Sequence, residues 1–203
     1  MHFLDIDSKT LESLGAIHTA REIAQQPAVW QKIWESVNEK KDEIQAFLNG
    51  SDFHKIILTG AGTSAYIGES LVGSFNRAGY TCTSAIPTTN LVSHPYDYFS
   101  NDQSVLLVSF ARSGNTPESK AAVVLADQIS KKCFHLIITC NPDGDLAQYN
   151  TPGEKYIFTL PKETNDKSLA MTSSYSGMLL TGLLIPRIDQ LEELKSQVIL
   201  ASE

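Results

Sequence analysis

Ser104-Val-Leu-Leu-Val-Ser-Phe-Ala-Arg-Ser-Gly-Asn-Thr-Pro-Glu-Ser119 decides the fold. Its first seven residues form an apolar run, and Pro117 opens a helical pattern. Hydroxyls, a glycine and an arginine therefore fall where a strand meets a helix N-terminus. Backbone N–H groups at such a junction have no intrahelical partner, and the helix dipole favours an anion. Ser113 and Thr116 add hydroxyl donors and Arg112 a fixed positive charge. The stretch reads as a phosphate cradle without the lysine of a nucleotide P-loop.

Working outward, short β-branched runs alternate with helical segments. Strands are expected at 55–59, 82–86, 104–110, 134–140 and 155–160, with helices near 64–78, 117–131 and 143–149 between them. Strands separated by helices mean βαβ units and a parallel sheet. The runs are almost wholly apolar, as expected of strands covered on both faces. The expected fold is α/β, a three-layer αβα sandwich with a five-stranded, mainly parallel sheet. Ahead of it, Asp7/Ser8 cap a helix reaching about Gln26, and Pro27 opens a second helix that Gly50 ends. A last helix is expected near 168–184, then a charged helical tail over 189–195. The expected organisation is a helical segment 1–50, the α/β domain 51–186 and a helix 187–203. The chain stops inside a polar helix, which fits a short domain or a cut within a longer protein.

Composition narrows the function. The 203 residues are 42% hydrophobic, enough for one sizeable core. A net charge of −7 without a Lys/Arg stripe argues against nucleic acid. An anionic ligand must be attracted by local donors. The three cysteines, Cys82, Cys133 and Cys140, lack metal spacing and read as thiols of a reducing cytoplasm. The run Met1–Asp7 does not read as a signal peptide, and no apolar run reaches membrane-spanning length.

Gly60-Ala-Gly-Thr-Ser-Ala65 follows the first strand and matches the dinucleotide fingerprint. That fingerprint needs an acidic residue about 20 positions on, for the ribose hydroxyls. No Asp or Glu occurs between Glu69 and Asp97, so the dinucleotide reading fails. Gly60 and Gly62 instead let the backbone turn beside a small ligand, with Thr63 and Ser64 offering hydroxyls. Ligands in open parallel sheets bind at the carboxyl ends of strands. Both hydroxyl-rich loops are expected at that edge.

The pair Gly60-Ala-Gly-Thr-Ser64 and Ser109-Phe-Ala-Arg-Ser-Gly-Asn-Thr116 resembles the sugar isomerase (SIS) domain over about residues 25–185. Arg21-Glu-Ile-Ala-Gln-Gln-Pro27 is similar to the run that opens the isomerase half of glucosamine-6-phosphate synthase. With Leu91-Val-Ser-His-Pro95, the pattern is most similar to the tagatose-6-phosphate ketose/aldose isomerase type. The resemblance implies a phosphosugar aldose–ketose isomerase or an aminosugar-phosphate deaminase/isomerase, converting galactosamine 6-phosphate to tagatose 6-phosphate. It implies phosphate or substrate binding by Gly62, Thr63, Ser64, Arg112, Ser113, Gly114 and Thr116, and sugar contact by the Leu169–Ser174 segment through Thr172 and Ser173. Ala111 stands where the synthase loop begins with serine, and Arg112 would compensate with charge. No metal and no cofactor are implied. A sensing SIS module of a regulator is the alternative, although the N-terminal helices show no basic recognition face.

The chemistry needs a base near the C2 proton and help with ring opening. Two-half family members carry that base as a glutamate on their second half. The matching run here, Ser168-Leu-Ala-Met-Thr-Ser-Ser-Tyr175, has no carboxylate. This implies a first half, completed by a second SIS half or by a second copy in a homodimer. Within the chain the weak candidates are Glu69 and His94. Glu118 lies where a helix dipole favours a carboxylate anyway. Trp30 and Trp34, at i and i+4, read as helix packing or a dimer seam.

Overall fold

A computed structural model describes residues 2–203. A small antiparallel hairpin, β1 (His2–Phe3) and β2 (Ile6–Asp7), leads into four helices: α1 (Ser8–Ser13), α2 (Ile17–Ala24), α3 (Gln26–Glu39) and α4 (Lys41–Gly50). Then follow β3 (Lys55–Gly60), α5 (Thr63–Arg77), β4 (Thr83–Ala85), α6 (Thr88–Ser93), β5 (Ser104–Ala111), α7 (Pro117–Ile129), β6 (Lys132–Thr139), α8 (Asp145–Gln148) and β7 (Glu154–Thr159). The chain ends with α9 (Ser173–Leu184) and α10 (Leu191–Ala201). No helix among the described residues is long and apolar enough to cross a membrane.

The five main strands form one sheet in the order β4-β3-β5-β6-β7, every pair parallel. Alternate residues of each strand enter opposite layers, as the two-residue period requires. Ile56, Leu58, Leu106, Val108, Phe110, Phe134, Leu136 and Ile138 pack with Val29, Ile33, Ile44, Leu71, Met178 and Leu191 of the helices on one face. Ile57, Val105, Leu107, Cys133 and Ile137 pack with Leu91, Ala122, Val123 and Leu146 on the other. This is the expected three-layer sandwich. The N-terminal helices share that first core: Trp34 Nε1 donates to the Leu191 carbonyl at 3.0 Å.

Three helix expectations are corrected. The first helix breaks into α1 and α2 because Gly15 adopts a left-handed conformation (φ 67°), and the Ala16 N–H bonds back to the Leu11 carbonyl at 2.8 Å. The second breaks at Lys40, which leaves helical geometry (φ −98°, ψ 12°). The last begins at Ser173 rather than Ser168. Between Lys167 and Ser174, backbone N–H groups donate to the carboxylates of Glu22 and Asp166 instead of entering helix.

Strand order also fixes where a ligand fits. From β3 the chain moves outward to β4, then crosses back to β5 on the other side. The loops after β3 and β5 therefore diverge from neighbouring strand ends, the arrangement that opens a crevice in a doubly wound sheet.

Candidate functional site

A cleft of about 310 Å³ opens there, lined by Ala61, Gly62, Thr63, Ser64, Phe110, Ala111, Arg112, Ser113, Thr116, Ser119 and Met171. The two hydroxyl-rich loops thus face each other. Six of the residues expected at the site lie on its wall: Gly62, Thr63, Ser64, Arg112, Ser113 and Thr116.

Each loop is the start of a long helix. Gly62 is the N-cap of α5 and Thr116 that of α7, and neither helix start receives a side-chain cap. Their positive dipole ends are therefore open toward the cleft. Gly60 is needed for packing. A Cβ there would lie 2.6 Å from the Ser64 backbone, so glycine allows α5 to start directly against the strand end.

The β5 loop is held from behind. Leu146 N–H donates to the Gly114 carbonyl at 2.9 Å, the Asn141 side-chain amide to the Ser113 carbonyl at 3.0 Å, and Asp145 N–H to the Asn115 side chain at 3.0 Å. The turn leading into α8 thereby draws the loop's carbonyls away from the ligand side. Ser113 Oγ accepts the Asn115 N–H at 3.3 Å and keeps its own O–H to donate. Gly114, with φ 71°, is buried against Gly144 and Leu146 and serves the loop through its backbone.

Arg112 is half-buried on the wall. One guanidinium nitrogen donates to the Asp166 carbonyl at 2.9 Å, and Nε is buried without a partner. The arginine therefore supplies local charge and also ties the β5 loop to the segment before α9.

That segment meets the cleft differently from expectation. Met171 is on the wall; Thr172 and Ser173 are not among the lining residues. Thr172 donates its N–H to Asp166 Oδ2 at 2.9 Å. Ser173 is buried and donates its hydroxyl to the Glu22 carbonyl at 2.6 Å. Ser119 was missed by sequence reasoning. It lies one turn beyond Thr116, a spacing that carries it to the same face of α7.

Among the described residues, no Asp, Glu or His lines the cleft. Glu69 is exposed on α5. His94 is exposed after α6, its ring Nδ1 2.9 Å from Ser93 Oγ. Glu118 is exposed in the first turn of α7. Among the described residues, the one cluster of metal-type donors is Asp127, Cys133 and His135, at the opposite end of β6. Asp127 already accepts from His135 Nε2 (2.8 Å), Tyr149 (2.9 Å) and Thr151 (2.8 Å). Burial, reinforced by Asp127, pushes the Cys133 thiol far above its ordinary range. Both carboxylate oxygens of Asp127 are thus engaged within the protein.

Residues 51–185 match the SIS domain, which takes in all of the cleft. The chain belongs to the SIS family. It is 45% identical over 187 residues to a D-galactosamine-6-phosphate deaminase, AgaS, of Shewanella sp. (strain ANA-3), covering 89% of this chain and 48% of that protein. The tagatose-6-phosphate ketose/aldose isomerase of Escherichia coli has a crystal structure that superposes with a TM-score of 0.84 at 34% identity, over 94% of this chain and 53% of the other. A Clostridium novyi NT structure superposes with a TM-score of 0.93 at 40% identity, over 100% and 53%. This SIS chain spans about half the length of the curated relatives it matches.

Proposed function

We propose that this SIS chain binds the phosphate end of a phosphorylated amino sugar, galactosamine 6-phosphate in type. It would act as the first half of a deaminase/isomerase yielding tagatose 6-phosphate in the cytoplasm. One observation carries the reading: two uncapped helix N-termini, each flanked by hydroxyl residues, open on one cleft. In this reading Ser113, Thr116, Thr63 and Ser64 donate to the phosphate and Arg112 adds charge. Domains divide as a helical segment 1–50 that packs on the SIS core, the SIS domain 51–186, and a helix 187–203 leading to the other half.

The reaction begins from the open-chain sugar. Removal of the C2 proton gives an enaminol, reprotonation at C1 gives a C2 imine, and water releases ammonia and the ketose. The phosphate anchor fixes C1 and C2 against a base, converting distant binding energy into orientation. Among the described residues the cleft holds no carboxylate or imidazole, so the base comes from a second SIS half or a second copy of the chain. The same absence favours a second reading, a phosphosugar-sensing module without turnover.

Calorimetric titration with galactosamine 6-phosphate tests the anchor. Saturable binding by the wild type, abolished in Ser113→Ala/Thr116→Ala, is expected; equal affinity of the two proteins refutes it. Full deaminase activity from this chain alone would refute the shared-site assignment, and absence of activity with any added second half would favour the sensing module.

A further inference from the structure

Two buried carboxylates flank the cleft without a part in the chemistry above. Glu22 on α2 is 6% exposed and Asp166 is 4% exposed. A buried carboxylate requires donors, and here nearly all of them come from one segment. Glu22 Oε1 accepts the N–H of Lys167 at 2.6 Å and of Ser168 at 3.2 Å, while Oε2 takes the Ser168 hydroxyl. Asp166 Oδ2 accepts the N–H of Thr172 at 2.9 Å and of Ser174 at 2.8 Å, and the Ser174 hydroxyl at 2.7 Å.

The grip continues along α2. The Glu22 carbonyl takes the Ser173 hydroxyl, and Gln25 Nε2 donates to the Glu163 carbonyl at 2.8 Å and to Ser173 Oγ at 2.9 Å. Glu22 and Gln25 are three residues apart, hence on one helix face. The Arg21–Pro27 motif thus has a structural object: it holds the chain on both sides of residues 169–171. Between the two carboxylates Leu169 is 98% exposed and Met171 reaches the cleft wall.

We infer that Glu22 is a positioning residue for the sugar end of the site. Together with Asp166 it pins Lys167–Thr172 in the non-helical path that carries Met171 to the cleft. The phosphate loop is held mainly from its other side, by the turn into α8, and meets this segment through one bond, from Arg112 to the Asp166 carbonyl. This inference rests on the cleft being a phosphosugar site, and it assigns Glu22 an effect on the sugar without an effect on the phosphate.

The test compares two probes by titration, inorganic phosphate and galactosamine 6-phosphate. Glu22→Gln keeps the side-chain volume but turns an amide NH2 group toward backbone donors. Hydrogen bonds to a buried charge are the strong ones, so the sugar-phosphate Kd is expected to rise about tenfold or more in Glu22→Gln. The Kd for inorganic phosphate is expected to stay within about twofold, because the hydrogen bonds that hold the phosphate loop against the turn into α8 do not involve Glu22. Ser168→Ala removes one half-buried donor to Glu22, and a smaller selective rise of about threefold is expected from one lost hydrogen bond. If Glu22→Gln does not fold, Ser168→Ala decides alone, a selective rise supporting the inference and no rise overturning it. Affinities for both probes unchanged, or falling in parallel, overturn the positioning role and leave the phosphosugar reading standing. A wild type that binds neither probe removes that reading instead.

Discussion

The two ends of the central strands carry similar chemistry with opposite outcomes. At the carboxyl end, Ser113, Thr116, Thr63 and Ser64 face a cleft with donors to spare. At the amino end, Asp127, His135, Tyr149 and Thr151 form a closed network in which each carboxylate oxygen of Asp127 is occupied. The second cluster has the residue types usually sought in an active site. It lacks access: His135 is fully buried, and its ring Nδ1, although without a partner, is buried with it. What distinguishes the candidate site is unsatisfied, reachable donors rather than reactive residue types.

That contrast can be broken most severely at the cleft. Ser113→Ala/Thr116→Ala is expected to weaken phosphosugar binding by about 100-fold or more, since two hydroxyl donors to a charged group are lost. Its melting temperature should match the wild type's, because neither hydroxyl is donated within the fold. A large drop in melting temperature would place these residues in the scaffold.

The closed network should behave in the reverse way. Asp127→Asn is expected to cost about 1–3 kcal/mol of stability, the penalty for disrupting a buried charged hydrogen-bond network, with ligand affinity unchanged. Chemical denaturation alongside titration checks both halves. The pH dependence follows from the same contacts. Burial alone would raise the Asp127 carboxyl, but the hydrogen bonds from His135, Thr151 and Tyr149 hold it below its ordinary value. A depressed carboxylate stabilises the fold above the unfolded-state pKa and loses that contribution as pH falls through the folded one. Wild-type stability should therefore decline below the ordinary aspartate range more steeply than that of Asp127→Asn. Parallel acid limbs would contradict this. Tyr149, whose hydroxyl is pushed up to about 12 by burial and by Asp127, stays protonated throughout.

A finer test is Tyr149→Phe, expected to cost about 1 kcal/mol for one hydrogen bond in the same network, read by denaturation. The smallest effects are expected at the exposed candidates. Glu69→Gln and His94→Ala should leave phosphosugar affinity within about twofold, since surface substitutions away from a site perturb little. A marked loss from either would return that residue to the site.

Much of the site was legible because it is local. Strand, loop and helix start are contiguous in Ser104–Ser119, and the second loop repeats the pattern at Gly60–Ser64. The missing ribose acid separated this loop from a dinucleotide fold without any structure. Helix ends were less legible. Nothing near Ser168 in sequence announces that its N–H will bond to Glu22, 146 residues away. The helix pattern therefore ran five residues too far; the roles expected of Thr172 and Ser173 came from the family resemblance instead. Ser119 was within the quoted stretch, but only the formed helix turns it toward Thr116's side.

The sequence by itself determined the layers, the parallel sheet and which two loops meet at the cleft. Apolar runs, turn residues and helix starts are short-range consequences of local physics. Only the tertiary structure decided which polar groups are spent and which remain free. A hydroxyl's or carboxylate's partners are set by elements that meet across the fold, as Glu22 meets Lys167 and Arg112 meets Asp166. Ser113 and Thr116 keep their hydroxyls available for the same reason: the fold satisfies the β5 loop from behind, through α8, and leaves its front open.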